Sequence, residues 1–96
     1  MTESPRLIFR VHAVERMFRW NVSETDIRAV LEHGETIEDR HEELPYPVRL
    51  ILGRVEGRPL HVVAAFDEPG DTIIVITVYE PDPARWSDGF RRRNSP

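Results

Sequence analysis

The sequence predicts an α+β domain in which two N-terminal helices pack on an antiparallel sheet of three to four strands. Apolar residues recur at helical spacing over residues 12–20 and again over 24–33, a pattern typical of two amphipathic helices. Residues 58–66 and 72–79 are apolar runs rich in β-branched side chains, and a short polar segment containing Pro and Gly separates them. These two runs therefore predict a central β-hairpin whose strands are covered on both faces.

The length and composition restrict what the chain can do. A chain of 96 residues supplies one modest hydrophobic core, so we predict a single small α+β domain over 1–96, with the core at about 7–86 and a weakly ordered tail at 87–96. The absence of cysteine rules out disulfides, a thiolate nucleophile and cysteine-ligated zinc. No apolar run approaches the roughly 20 residues of a membrane span, so we predict a cytoplasmic protein that does not associate with membranes.

The charged residues are unevenly distributed along the chain. The formal net charge of −4 argues against a globally basic nucleic-acid binder, because phosphate contacts require clustered cations. All 13 cationic residues are arginine, so a bound anion would meet planar guanidinium groups. The arginines concentrate at residues 6–19 and 91–93, whereas acidic residues fill 32–43. If the two ends of the chain meet, a local basic patch could exist on an acidic protein.

The first helix is predicted over residues 12–20, after a short strand or an extended lead-in at 7–11. Its predicted buried face consists of Val14, Met17 and Phe18. At about 100° per residue, a narrow stripe on the opposite side consists of His12, Arg16 and Arg19. This stripe is either a solvated polar face or an anion-binding edge with a histidine at its N-terminal end.

The second helix has signals at both of its ends. Ser23 and Asp26 have the spacing of a capping box, with Asp in place of the usual Glu or Gln. They predict a helix from about Glu24 to His33. Gly34 is placed to leave this helix in a left-handed conformation.

The remaining segments read as strands and turns. The acidic residues at 35–43 predict an edge strand followed by a loop, because charge on an edge strand opposes edge-to-edge association. Their carboxylates and imidazole could hold a metal ion, but no recognised ligand spacing is present, so we predict no metal site. A further strand is predicted over 48–56, and residues 84–86 are predicted to form one helical turn whose Trp86 covers the core.

The polar side chains of the central hairpin are the first candidates for a functional site, because a buried polar group needs a hydrogen-bond partner or a role. They are His61, Thr72, Thr77 and Tyr79. The structural alternative for His61 is a buried imidazole satisfied by a backbone carbonyl or by Thr77. For Tyr79 the structural alternative is an aromatic residue at the edge of the core with its hydroxyl in water.

The length of the hairpin loop decides whether these side chains share a face of the sheet. With a two- or four-residue loop, His61 faces Val78 and lies on the opposite face from Tyr79. With a three- or five-residue loop, His61 faces Thr77 or Tyr79 instead, and all three polar side chains lie on one face. A shared site therefore requires the odd loop.

Several fragments, taken together, resemble a bacterial family known as domain of unknown function 4258. The fragments are HAxERM from His12, DI from Asp26, GRPLHVV up to Val63 and ITVYEPD up to Asp82, with Trp86 beyond them. The resemblance covers about residues 8–93. That family in turn resembles small toxins of the RelE, BrnT and MqsR type, in the ribonuclease superfamily that contains barnase and the colicin nucleases. The resemblance implies a toxin–antitoxin role.

This chain also departs from the toxin pattern. RelE-type toxins are usually basic and use several lysines, whereas this chain is acidic and has no lysine. The arginine-bearing C-terminal helix of BrnT-like toxins is not evident in the sequence.

The resemblance implies a metal-independent endoribonuclease toxin without a cofactor, whose partners are an RNA substrate and an antitoxin protein. Metal-free RNA cleavage needs a base, an acid and cations that stabilise the charged phosphorane. The candidate catalytic residues are His12, His61 and Tyr79. The candidate substrate-binding residues are Arg16, Arg19, Arg58 and Thr77. We expect the two histidines to meet at one concave site, with the arginines of the helix stripe, Arg58 and residues 91–93 forming one basic rim around it.

The alternative hypothesis is a non-catalytic module that uses the same cleft and the arginine stripe to bind a protein or an RNA. Basic residues and histidines alone do not separate this module from an enzyme. The sequence also leaves the oligomeric state open.

Overall fold

The computed structural model describes residues 5–94. The elements in chain order are β1 (Arg6–Phe9), α1 (Val11–Trp20), α2 (Glu24–His33), β2 (Glu35–Arg40), β3 (Val48–Val55), β4 (Arg58–Asp67), β5 (Thr72–Tyr79), β6 (Trp86–Ser87) and β7 (Arg92–Arg93). Strands β1 to β5 form one sheet in the order β1-β5-β4-β3-β2. Strands β6 and β7 form a separate antiparallel hairpin, called the C-terminal hairpin below.

The predicted antiparallel sheet of three to four strands is wrong, because the sheet has five strands and is mixed. The additional strand is β1, which pairs in parallel with β5 and places Arg6 opposite Thr72. Parallel pairing requires a long crossover connection, and here the first crossover element is α1, which packs against β5. The local sequence at residues 7–9 is compatible with a strand, but it carries no information about a partner so distant in the chain.

Helix α2 begins where its capping signals place it. The Ser23 hydroxyl accepts a hydrogen bond from the backbone N–H of Asp26 at 3.0 Å, and the Asp26 carboxylate accepts one from the Ser23 N–H at 3.0 Å. Gly34, however, leaves the helix in an extended conformation, with φ −77°. A larger residue does not fit at this position, because a Cβ there would lie 2.4 Å from the Val30 carbonyl oxygen.

Helix α1 is rotated relative to the prediction. Phe18, which was predicted to be buried, is 83% exposed, and Val14 is 39% exposed. The side of α1 that faces the sheet carries the buried Ala13 together with the half-buried Met17 and Trp20. The helix therefore has two apolar sectors, and periodicity alone does not tell which of them packs on the sheet.

The two faces of the five-stranded sheet are covered by different elements. The helices cover one face, where the core consists of Ala13, Val22, Ile27, Val30, Ile51, Leu60, Val62, Ala64, Ile73, Val75 and Val78. Side chains alternate between faces along a strand, so His61 lies on the opposite face from Leu60 and Val62. That second face is covered by the C-terminal hairpin, whose Trp86 ring lies 4.4 Å from the His61 ring, centroid to centroid.

The C-terminal segment also differs from its sequence-based description. The helical turn predicted over residues 84–86 is wrong, because residues 84–85 belong to a non-helical turn and the buried Trp86 begins strand β6. Residues 87–94, which the sequence predicts to be weakly ordered, include the second strand of the hairpin, where Trp86 pairs with Arg93.

Candidate functional site

An irregularity in strand β5 brings His61 and Tyr79 to the same face of the sheet. Near the loop, Phe66 pairs with Ile73, as expected for a four-residue loop. The register then shifts at Ile76, so that His61 pairs with Tyr79 rather than with Val78. A loop with an even number of residues predicts that His61 and Tyr79 lie on opposite faces of the sheet. The β-bulge adds one residue to β5 and so places both side chains on the same face. Nothing local in the sequence marks Ile76 as the bulged residue.

His61 is completely buried, and both of its ring nitrogens have partners. Its Nε2 lies 2.9 Å from the carbonyl oxygen of Phe90, and its Nδ1 lies 3.2 Å from the Tyr79 hydroxyl. A carbonyl can only accept, so Nε2 carries the proton and donates to Phe90, and Nδ1 accepts from the Tyr79 hydroxyl. The buried neutral imidazole thus connects β5 to the C-terminal hairpin. This arrangement is the structural alternative named for His61, with Phe90 as the source of the carbonyl.

The environment of this pair shifts both of their pKa values away from neutrality. Burial lowers the pKa of His61 below its ordinary value of 6.5, although the hydrogen bond to Phe90 partly opposes this effect. Burial also raises the pKa of Tyr79 above 10.0. At neutral pH His61 is therefore an uncharged hydrogen-bonding group that is shielded from solvent.

The C-terminal hairpin is held on the sheet by ion pairs as well as by His61. The Arg93 guanidinium makes a two-pronged contact with the Glu38 carboxylate, at 2.7 and 3.1 Å, and Arg91 reaches Glu35 at 2.9 Å. The hydrogen bond from Arg93 lowers the pKa of Glu38 below its ordinary 4.5, although burial partly opposes it. Arg93 also lies over the Trp86 ring at 4.8 Å.

Of the arginines predicted to form a basic rim, Arg58 and residues 91–93 have carboxylate or carbonyl partners, whereas Arg16 contacts His12 and Arg19 lies over the Trp20 ring. Arg91 and Arg93 pair with β2 carboxylates, and Arg92 lies 3.8 Å from Asp88. Arg58 donates to the backbone carbonyls of Trp20 and Asn21, so it fixes the end of α1. These partners leave little positive charge on the hairpin face for a phosphate. Thr77, the remaining substrate-binding candidate, pairs with Val63 next to the bulge.

His12 does not join His61. It is exposed on α1, where its Nε2 accepts a hydrogen bond from the Arg16 guanidinium at 3.4 Å. Because α1 packs on the helix-covered face of the sheet, the sheet lies between His12 and the buried His61. The structure thus brings together His61 and Tyr79, places Arg19 in one groove with Tyr79 and Arg93, and separately brings together His12 and Arg16. Their proposed catalytic roles stay predictions.

The feature that sequence reasoning missed is an exposed apolar stripe on α1. The stripe consists of Val11, Val14 and Phe18, which are 78%, 39% and 83% exposed, respectively. Beside it lies a hollow of about 620 Å³ bordered by Met17, Val22 and Val55. The i, i+3, i+7 spacing was visible in the sequence, but the same spacing also describes a core-facing helix.

Metal-binding clusters and membrane-spanning helices are absent from the part of the chain that the structure describes. No cluster of three or more His, Asp or Glu side chains is arranged there to hold a metal ion, and this includes the acidic segment at residues 35–43. Over the same residues, 5–94, no helix has both the length and the apolar character needed to cross a bilayer.

Comparison with known proteins relates the chain to one family. No curated protein and no solved structure matches this chain. The family described as "Domain of unknown function (DUF4258)" matches residues 9–80, which run from the last residue of β1 to just beyond β5. The match includes the bulged hairpin and both helices, while the C-terminal hairpin lies outside it. Since the match spans well over half of the sequence, the chain belongs to the DUF4258 family.

Proposed function

We propose that this chain is a non-catalytic protein-binding module that holds its partner on the outer face of α1. The observation that carries the proposal is the exposure of Phe18 and Val11, two large apolar side chains that lie on one stripe of one helix. Single exposed apolar residues are common on proteins, but a contiguous apolar stripe beside a hollow is typical of an interaction surface.

The energetics favour a partner on this stripe. Each large apolar side chain transferred from water to an interface contributes about 1.5–3 kcal/mol. Phe18 is the strongest candidate anchor, because an aromatic ring supplies the largest contact area and the hollow beside it offers room for a partner's side chains. Met17 and Val14 line that hollow and extend the apolar surface along the helix.

The geometry of the hairpin face gives less support to the endoribonuclease expectation. A general base must come within hydrogen-bond reach of the proton it removes. His61 is 0% exposed, and both of its nitrogens already have partners, so the C-terminal hairpin would have to leave before an RNA could reach it. Endoribonuclease activity, the resemblance to RelE-type toxins and an antitoxin partner therefore stay untested expectations beside the proposed module.

Photo-crosslinking in cells tests the proposal. A photoreactive phenylalanine analogue replaces Phe18 in one variant, and in a control variant it replaces Leu44, which is 89% exposed on the β2–β3 connection. We expect a discrete protein adduct from position 18 that does not form from position 44. The crosslinked protein, once purified, should bind the wild-type chain and lose affinity for Phe18→Ser.

Two results would overturn the proposal. The first is the absence of any adduct specific to position 18. The second is cleavage of RNA by the purified protein in EDTA, provided that a His61→Ala variant loses the activity, because this result would identify an enzyme.

A further inference from the structure

The two edges of the five-stranded sheet differ in how they are protected from further pairing. Strand β2 forms one edge, and its pairing with β3 is interrupted by a bulge between Thr36 and Glu38. Glu35 and Glu38 of this strand also hold Arg91 and Arg93 of the C-terminal hairpin in ion pairs. Bulges and charged side chains of this kind discourage another chain from pairing with an edge strand.

Strand β1, at the other edge, has neither a bulge nor an ion pair among the residues that the structure describes. All four of its residues pair with β5 in one unbroken parallel register. Three of the four are the apolar residues Leu7, Ile8 and Phe9. An unprotected apolar edge strand is a template for pairing with another chain.

The backbone of β1 has hydrogen-bonding groups that point away from the sheet. The N–H groups of Arg6 and Arg10 each donate to a backbone carbonyl on the β5 side at 3.0 Å. Because backbone groups alternate in direction along a strand, the N–H and C=O groups of Leu7 and Phe9 face away from β5. No strand of the described chain lies on that side. Two donors and two acceptors are therefore available to a sixth strand.

A row of apolar side chains reaches the same edge. Ile8 lies opposite Ile74 of β5. Ile74 in turn lies opposite Ala65, which lies opposite Val48, so the row crosses four strands. Ile8 ends the row and is 43% exposed. A sixth strand with an apolar residue at this position would continue the row and cover Ile8, and apolar cross-strand pairs of this kind stabilise a sheet.

We infer that the β1 edge accepts an extended segment of another protein, which adds a sixth, antiparallel strand with an apolar side chain opposite Ile8. This edge is a different surface from the α1 stripe, so the inference goes beyond the proposed function. Main-chain hydrogen bonds along an exposed edge supply affinity in this mode of peptide binding, and alternate side chains supply specificity. Because β1 is short, about five residues of the partner are enough to span it.

A second copy of this chain fits the edge less well. In the two-fold antiparallel arrangement that joins Leu7 of one copy to Phe9 of the other, Ile8 lies opposite its own counterpart. Arg6 of each copy then lies opposite Arg10 of the other, and like charges directly opposite each other are destabilising. Both arginines are exposed and alternate with Ile8, so they lie on the same side of the strand. The occupant is therefore a strand of different sequence.

A displayed library of short segments supplies the probe. Each member carries about seven randomised residues between flexible Gly/Ser linkers, and selection uses the full chain. Ile8→Lys is the counter-selection bait, because a lysine on an edge strand opposes pairing. Leu44→Lys, at an 89% exposed position, changes the charge equally and is the control bait. We expect segments with apolar residues at alternate positions, which bind Ile8→Lys about tenfold more weakly than the wild type or Leu44→Lys.

Two backbone measurements test strand addition directly. N-methylation of a selected peptide, one residue at a time, should weaken binding about tenfold at every second position and little in between, because only alternate N–H groups face β1. In the chain itself, hydrogen exchange of the Leu7 and Phe9 amides should slow markedly when the peptide binds. The Ile8 amide, which already faces β5, should change much less.

The outcomes separate this inference from the proposed function. If no segment is enriched on the wild type relative to Ile8→Lys, or if N-methylation shows no period of two, the edge does not accept a strand and the inference is wrong. If Phe18→Ser abolishes binding of the peptide, the peptide lies on the α1 stripe, which overturns the edge but agrees with the proposed function. If the wild type sediments as a dimer that Ile8→Lys dissociates, the occupant is a second copy, which also overturns the inference.

Discussion

The two sides of the sheet use the same kinds of side chain in opposite ways. On the hairpin side, Trp86 is buried and Arg93 makes a two-pronged contact with a carboxylate. On the outer surface of α1, Phe18 is exposed, and Arg19 has no ion pair among residues 5–94. A large aromatic ring therefore joins parts of the chain on one side of the sheet and lies exposed to solvent on the other.

This difference shows which residues can take part in binding. Groups that are satisfied within the chain stabilise the fold, and a ligand would have to replace their existing contacts before it could use them. Groups left exposed offer their contact energy to a partner. On this criterion the buried His61 belongs to the fold, and the α1 stripe belongs to the proposed interaction surface.

The largest expected effect is that of Trp86→Ala on stability. Truncation of a buried tryptophan costs about 3–5 kcal/mol, because it removes apolar contacts and leaves a cavity. Here it also removes the ring that packs on His61 and Arg93. Urea denaturation should show this loss, whereas Phe18→Ala, measured in parallel, should change the free energy of unfolding far less. If both variants lost the same free energy of unfolding, Trp86 and Phe18 would support the fold equally, and the contrast between the two sides of the sheet would be wrong.

Replacement of His61 tests the attachment of the C-terminal hairpin more specifically. His61→Phe keeps an aromatic ring against Trp86 but removes the partners of the Phe90 carbonyl and the Tyr79 hydroxyl. Leaving a buried polar group unsatisfied costs about 1–3 kcal/mol, so the variant should be less stable than the wild type at pH 8. A wild-type-like midpoint in urea would contradict the role assigned to the imidazole.

The pH dependence of stability follows from the same residue. Burial lowers the pKa of His61 in the folded chain below 6.5, so the unfolded chain binds the proton first as the pH falls. The stability contributed by neutral His61 is fully present above pH 6.5 and is lost as the pH falls from 6.5 through the lowered folded pKa. Midpoints of unfolding between pH 8 and pH 5 should decline for the wild type, and His61→Phe should lack this component of the decline.

Glu38→Gln should have a smaller effect. It weakens the contact with Arg93, a pair that is partly exposed to solvent, so the expected loss is about 1 kcal/mol or less. The lowered pKa of Glu38 gives the direction of the pH effect: the pair's contribution is present above pH 4.5 and is lost as the pH falls through the folded pKa. Thermal unfolding at low and high salt measures the contribution of this ion pair. The melting temperature of the variant should change less with salt than that of the wild type.

The smallest expected effect on stability is that of Phe18→Ser. An 83% exposed side chain makes few contacts in the free chain, so the change in the free energy of unfolding should stay within about 0.5 kcal/mol. Leu44→Ser, at an even more exposed position, is the matched control. A loss above 2 kcal/mol for Phe18→Ser alone would show that the side chain supports the fold and would weaken the proposed interaction surface.

The parts of the fold that the sequence predicted correctly depend on local chemistry. Ser23 and Asp26 position the start of α2, and the β-branched runs of β4 and β5 form the antiparallel hairpin where expected. These signals work because capping and strand preference act between residues that are close in the chain.

The parts that were missed depend on contacts between distant residues. The bulge at Ile76 adds one residue to β5 and so decides which face Tyr79 occupies, yet isoleucine carries no bulge signal. The carbonyl that satisfies His61 belongs to Phe90, in a segment predicted to be weakly ordered. The rotation of α1 was missed because both of its sectors are apolar, and only packing against the sheet distinguishes them.

Strand β1 has a consequence for the order of folding. It pairs with β5, which lies near the other end of the described chain, whereas β3, β4 and β5 pair with their neighbours through short connections. Contacts between distant residues close a large loop and so form late. The central meander can therefore assemble before residues 6–9 dock, and the backbone amides of β1 should exchange with solvent through a local opening that leaves the rest of the sheet intact.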